Sequence, residues 1–142
     1  MKKIALGTDH AGYQMKEVVK AHLKKKGYEV IDFGTDSEEA VDYPDYCRPA
    51  AESVAKGDCD YGLVFGGSGN GEAMVANKVV GIRCGVCWNV ENARLTKEHN
   101  NANVIAIGGR MVSEKEGTKI VDAWLNAEFQ GGRHQKRIDK IE

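Results

Sequence analysis

Short apolar runs alternate along this chain with stretches whose apolar residues recur at helical spacing, and that alternation leaves few folds open. Lys3–Thr8 reads as a buried opening strand. Met15, Val18, Val19, His22 and Leu23 follow at i, i+3, i+4, i+7 and i+8, which predicts an amphipathic helix over Gly12–Lys26. Gly27 is its natural stop. Tyr28–Phe33 reads as a strand, and Asp45–Lys56 as a helix with Ala50, Ala51, Val54 and Ala55 inward. Tyr61–Phe65 is a third strand, and a glycine-rich turn leads into a short helix near Asn70–Asn77. Gly81–Trp88, Val90–Asn100 and Val104–Ile107 read as strand, helix and strand. Ser113 can cap a long helix whose inner face carries Ile120, Val121, Trp124 and Leu125. The tail after Gly131-Gly132 is basic and reads as helical.

Apolar strands alternating with helices imply a parallel sheet covered on both faces and joined by right-handed crossovers. The expected fold is α/β: a three-layer α/β/α, Rossmann-like domain with a five-stranded parallel sheet and a C-terminal helical tail. The 142 residues fit one domain, 1–142, with no repeat or linker. Ligands of such sheets sit beyond the carboxyl ends of the strands. Those ends are Thr8-Asp9-His10, Gly34-Thr35, Gly66 to Gly71, and Gly108-Gly109-Arg110.

A net charge of -1 gives no reason to expect a nucleic-acid or membrane partner. No stretch approaches the roughly 20 apolar residues of a membrane helix, and no targeting segment is visible. A cytoplasmic location is the expectation, with Cys47, Cys59, Cys84 and Cys87 reduced. Cys84 and Cys87 form a C-x-x-C inside a predicted strand, where a period of two points them to opposite faces. They read as small buried hydrophobes. No cluster with metal-ligand spacing occurs, so neither metal nor cofactor is expected.

Phe65 to Glu72 carries the clearest chemical signal, with four glycines between Gly66 and Gly71 after a strand and before a helix. Glycine lets a ligand approach the backbone, and a helix start offers free N–H groups to an anion. A tight turn without a ligand would also use glycine. The dinucleotide pattern G-x-G-x-x-G fails at Glu72, and the nucleophile elbow G-x-S-x-G fails at Asn70. Glu72 either complements the helix dipole or serves as a general base. Asp9 either caps the first helix or, with His10, meets sugar hydroxyls. His99 lies near a helix end, where many histidines are structural. Arg133 and Arg137 share a helical face, which suits a solvated surface or a two-armed phosphate clamp that Arg110 could join.

Taken together, the motifs resemble the ribose-5-phosphate isomerase B family, in the group that includes the bacterial galactose-6-phosphate isomerase subunits. The resemblance rests on Gly7 to Gly12, Asp42-Tyr43-Pro44-Asp45-Tyr46, Gly66 to Glu72, Ala76-Asn77-Lys78 and Gly81-Ile82-Arg83. His99 to Asn103, Gly109-Arg110 and Gly131 to Arg137 complete it. It implies interconversion of an aldose and a ketose phosphate through an enediol, without cofactor. By resemblance, Asp9 and His10 contact the sugar. Gly67, Ser68, Gly69, Asn70 and Gly71 cradle the enediolate. His99 opens the furanose ring beside Asn100, and Arg110, Arg133 and Arg137 hold the phosphate. Many members place a cysteine directly after the third strand as the base; here that position is Gly66. The match is to the branch with glycine there and a glutamate, Glu72, in the next helical turn.

The expected substrate pair is ribose 5-phosphate and ribulose 5-phosphate. Allose 6-phosphate, galactose 6-phosphate and tetrose phosphates are alternatives, as is a non-catalytic phosphate-binding module. His99 belongs to the amino edge of the expected sheet and the glycine loop to its carboxyl edge. A homodimer, or a tetramer, with sites shared between subunits follows from that separation.

Overall fold

The computed structural model describes all 142 residues. In chain order the elements are β1 (Lys3–Thr8), α1 (Tyr13–Lys25), β2 (Glu29–Asp32), α2 (Pro44–Ala55), β3 (Tyr61–Gly66) and α3 (Asn70–Asn77). They continue with β4 (Cys84–Val86), α4 (Val90–Glu98), β5 (Val104–Gly108), α5 (Glu114–Asn126) and α6 (Arg133–Asp139). The strands form one five-stranded sheet in the order β2-β1-β3-β5-β4. All its pairings are parallel. The chain moves outward from β1 to β2, then returns to place β3 on the other side of β1. The carboxyl ends of β1 and β3 therefore flank the switch point where open α/β sheets bind ligands.

Strand register sorts the core into two faces. Leu6, Leu63 and Ile105 lie side by side across β1, β3 and β5 and join α1, α4 and α5 in one cluster with Phe65 and Trp124. Their neighbours Val64 and Ala106 join α2 and α3 on the other face, built largely from alanine, valine and cysteine. Small residues let α2 approach closely. A Cβ at Gly7 would lie 2.6 Å from the Tyr46 carbonyl oxygen and 3.1 Å from Cys47 Cα, so α2 rests directly on β1. Cys84 packs toward the second cluster and Cys87 into the first, on opposite faces as the period of two requires.

The expected α/β architecture is the observed one, with local differences. The fourth strand spans three residues rather than Gly81–Trp88. It is an edge strand paired only with β5, and side chains replace the ladder where it begins. Asn77 accepts from the Cys84 N–H at 2.8 Å and donates to its carbonyl at 2.9 Å. Asn103 accepts from the Arg83 N–H at 2.9 Å. Helix α4 ends at Glu98, and the chain turns through Asn101 at φ 47°, a left-handed conformation that asparagine tolerates. Ala55 closes α2 and is exposed, while Ser53 is buried with its hydroxyl donating to the Ala50 carbonyl at 2.7 Å. No helix is long and apolar enough to cross a membrane.

Candidate active site

Strand β3 ends on Gly66, whose side-chain space is taken by another residue. A Cβ there would fall on the carboxyl group of Glu72, which curls back from the first turn of α3. Gly69 is the N-cap of α3 at φ 87°, a conformation that favours glycine. The end of β5 closes over the same loop. Gly109 N–H donates to the Gly66 carbonyl at 2.7 Å and Arg110 N–H to the Gly67 carbonyl at 3.1 Å. Gly108 must lack a side chain, since a Cβ would lie 2.5 Å from the Ser68 carbonyl oxygen. The N–H groups of Gly67, Ser68 and Gly71 find no backbone acceptor, and the Ser68 hydroxyl accepts from the Asn70 N–H at 3.2 Å. Free N–H groups at a helix start form a cradle for an anion. The Arg110 side chain leans over it, with Nη1 3.4 Å from where a Gly67 Cβ would be.

Glu72 is 4 % exposed and takes part in none of the ion pairs. Burial pushes its carboxyl above the ordinary glutamate value, and the nearby Asp9 carboxylate adds to the rise. The N–H groups of Glu72 and Gly69 pull the other way. The result is a carboxylate that accepts a proton more readily than an exposed one, beside a cradle for negative charge. Asp9 is itself buried and accepts from the Gly12 N–H at 3.1 Å, which supplies the turn into α1. His10 Nδ1 accepts from the Val41 N–H at 3.2 Å, so in the neutral ring Nε2 carries the hydrogen.

Two neighbours of this site were not singled out from the sequence for a role. The Tyr43 ring lies against the start of α3, where a Cβ on Gly71 would be 2.6 Å from its hydroxyl oxygen. Cys47 of α2 is fully buried beside Glu72 and Asp9. Burial, with the two carboxylates, raises its thiol far above the ordinary value. Cys87 is likewise pushed up to about 12 by burial, and Cys84 is raised well above the ordinary value. Those three cysteines therefore stay protonated at neutral pH, unlike reactive thiolates. The only sequence signal for Tyr43 was its place in the Asp42 to Tyr46 motif.

The remaining candidates lie at the other edge of the sheet. His99 caps the end of α4, and Asn100 follows on the way into β5. Helix α6 packs there too: the His134 ring stacks on that of His99 with centroids 4.4 Å apart and planes 13° apart. Arg133 and Arg137 project from α6 into solvent. Strand β5 has five residues, so about 17 Å of sheet separates this cluster from Glu72. Within one chain the structure thus groups Asp9, His10, Gly67 to Gly71, Glu72 and Arg110. It does not bring His99, Asn100, Arg133 or Arg137 to them. No group of three or more His, Cys, Asp or Glu is arranged to hold a metal ion.

The open parallel sheet thus carries at its switch point a loop of free N–H groups with a buried carboxylate beside it. Known proteins carry the same arrangement of chain. A family model described as Ribose/Galactose Isomerase matches residues 4–141. Ribose-5-phosphate isomerase B of Escherichia coli is 48% identical over 141 residues, covering 99% of this chain and 95% of that protein. The structure of ribose-5-phosphate isomerase B from Clostridium thermocellum superposes with a TM-score of 0.97 at 53% identity, over 98% of this chain and 94% of that one. That of the Mycoplasma genitalium ribose-5-phosphate isomerase B with bound ribulose-5-phosphate gives 0.94 at 41% identity, over 98% and 93%. The chain belongs to the Ribose/Galactose Isomerase family.

Proposed function

We propose that the chain interconverts ribose 5-phosphate and ribulose 5-phosphate through an enediol, with Glu72 as the group that moves the proton between the two carbons. The observation that carries this reading is the overlap of the Glu72 carboxyl with the side-chain space of Gly66. A base attached at position 66 and a carboxylate reaching back from position 72 would act from the same point in space. Isomerisation needs one group that takes a proton from carbon and returns it to the neighbouring carbon, and a carboxylate does both. The glycine-loop N–H groups, which have no backbone acceptor, are available to the oxygen on which charge would develop. The burial that raises the Glu72 carboxyl strengthens it as a base. Relatives named for this reaction, one of them with ribulose-5-phosphate bound, support the choice of substrate.

In this reading His99 opens the furanose ring beside Asn100, and Arg133 and Arg137 hold the phosphate. All four lie at the edge opposite Glu72, so a complete site takes them from a second copy of the chain. The molecule then works as a homodimer with two shared sites. Neither metal nor cofactor has a part, and full activity is expected after exhaustive chelation. The deciding experiment is Glu72→Gln, which keeps size and helix geometry but removes the basic oxygen. A kcat lower by about 10²–10⁴-fold with the fold intact is expected. An active Glu72→Gln enzyme would show that the base lies elsewhere.

A further inference from the structure

Ring opening, as read above, depends on where the His99 ring and the Asn100 amide point. Neither side chain is fixed by a hydrogen bond of its own; His99 has only the stack with His134, and Asn100 is exposed. Their direction is therefore set by the turn that carries them. That turn leaves α4 at His99 and enters β5 at Val104, passing through Asn101 at φ 47°. A reversal of this kind leaves carbonyls that neither helix nor strand uses.

Arg83, just before β4, takes up two of them. Its Nε donates to the Asn100 carbonyl at 2.9 Å and its Nη2 to the Asn101 carbonyl at 2.9 Å. Its Nη1 pairs with Glu142. Its own backbone is tied to the same segment: the N–H donates to Asn103 Oδ1 at 2.9 Å, and the carbonyl accepts from the Asn103 N–H at 3.1 Å. The Arg83 side chain is only 18% exposed. A planar guanidinium holds two adjacent carbonyls at fixed spacing, which the single ammonium of lysine cannot do. Nothing in the strand itself requires arginine here, since the ladder begins one residue later.

We propose that Arg83 is a positioning residue for ring opening: it fixes the turn that presents His99 and Asn100 to the sugar ring of the substrate. The inference rests on the reading of His99 as the ring-opening group. Substrate chemistry separates this role from plain structural support. Ribose 5-phosphate is a closed furanose that must be opened. 4-Deoxyribose 5-phosphate lacks the hydroxyl that closes the ring, so it reaches the enzyme as an open-chain aldehyde with the same reacting carbons.

Arg83→Met, Arg83→Lys and His99→Ala are each to be compared with the native dimer on both substrates, with thermal unfolding followed in parallel. Arg83→Met should lose about tenfold more kcat on ribose 5-phosphate than on the deoxy analogue, and Arg83→Lys should recover part of the difference. His99→Ala should show a larger loss with the same selectivity. A loss of equal size on both substrates, or none, would overturn the role of Arg83. If His99→Ala is selective and Arg83→Met is not, the positioning role alone falls. If His99→Ala itself is unselective, the ring-opening reading falls and takes this inference with it. Should Arg83→Met fail to fold, Arg83→Lys carries the same comparison, with a smaller ratio of the same sign.

Discussion

At the carboxyl edge of the sheet Glu72, Asp9 and His10 are held by the fold, whereas at the amino edge the arginines stand free. Glu72 and Asp9 are buried, the loop between them is pinned by β5, and His10 is bonded through Nδ1. Arg133 and Arg137 extend into solvent from a seven-residue helix, and His99 is braced only by a ring stack and by its backbone turn. Burial suits a group whose affinity for a proton must be tuned, because desolvation is what tunes it. Exposure suits a group whose task is to meet a phosphate arriving from solvent or carried on another subunit. In the proposed shared site, Glu72 with Asp9, His10 and Arg110 would come from one chain, and His99 with Arg133 and Arg137 from its partner.

The largest expected effects test the buried half. Gly66→Ala adds a single methyl group where the Glu72 carboxyl lies, and the carboxyl must move. Activity should fall about as far as in Glu72→Gln, by roughly 10²–10⁴-fold in kcat, although no catalytic group has been removed. Native-like kinetics in Gly66→Ala would show that the carboxyl need not occupy that point. The link between the halves is tested by mixing. Chains carrying His99→Ala and chains carrying Glu72→Gln should each be nearly inactive alone, and subunit exchange should restore activity through hybrid dimers with one intact site. No recovery despite demonstrated exchange would mean that each site is built from one chain.

Smaller effects are expected at the exposed half. Arg133→Ala or Arg137→Ala removes a charge-assisted contact of order 1.5–3 kcal/mol, or about 10–100-fold in kcat/KM. The unfolding temperature should hardly move, since neither arginine is buried. Native kinetics in both variants would reduce α6 to a solvated basic surface.

Much of this division is legible in the sequence. The alternation of strands and helices placed His99 and the glycine loop at opposite edges, because strand direction is fixed once all strands are parallel. Ser113 caps α5 as its position suggested, accepting from the Glu116 N–H at 3.1 Å. Burial of long charged side chains was not legible. Lys16 is 1 % exposed, with Nζ 2.6 Å from Asp32, and the Lys97 Nζ lies over both the Tyr61 and Trp124 rings and donates to the Trp124 carbonyl. Helical periodicity marks apolar stripes and is blind to a lysine that finds its partners only in the folded chain. The overlap of Glu72 with position 66 depends on the tightness of one turn, so residue types alone could point to a glutamate but not to where its carboxyl lies.

The smallest expected effect concerns stability and follows from the same burial. Folding raises the Glu72 carboxyl above its ordinary value, through desolvation first and the Asp9 carboxylate second. Between the ordinary and the raised value, the folded chain therefore binds more protons at this site than the unfolded chain. Stability then falls as pH rises through that interval and levels off above it, where both states are ionised. Glu72→Gln removes the titration. The variant should gain on the native chain as pH rises from about 4, the ordinary glutamate range, and the difference should stay constant once pH has passed the raised Glu72 value. Denaturant unfolding of both chains across that range measures it directly. At the amino edge Arg133→Ala should leave the Glu72 trend intact, its own effect on the pH profile running only through His134, which desolvation first and then the His99 and Arg133 charges hold below the ordinary histidine value. A native-minus-Gln difference that is flat with pH would mean that the Glu72 carboxyl is not held in the buried, carboxylate-flanked position on which the proposed proton transfer rests.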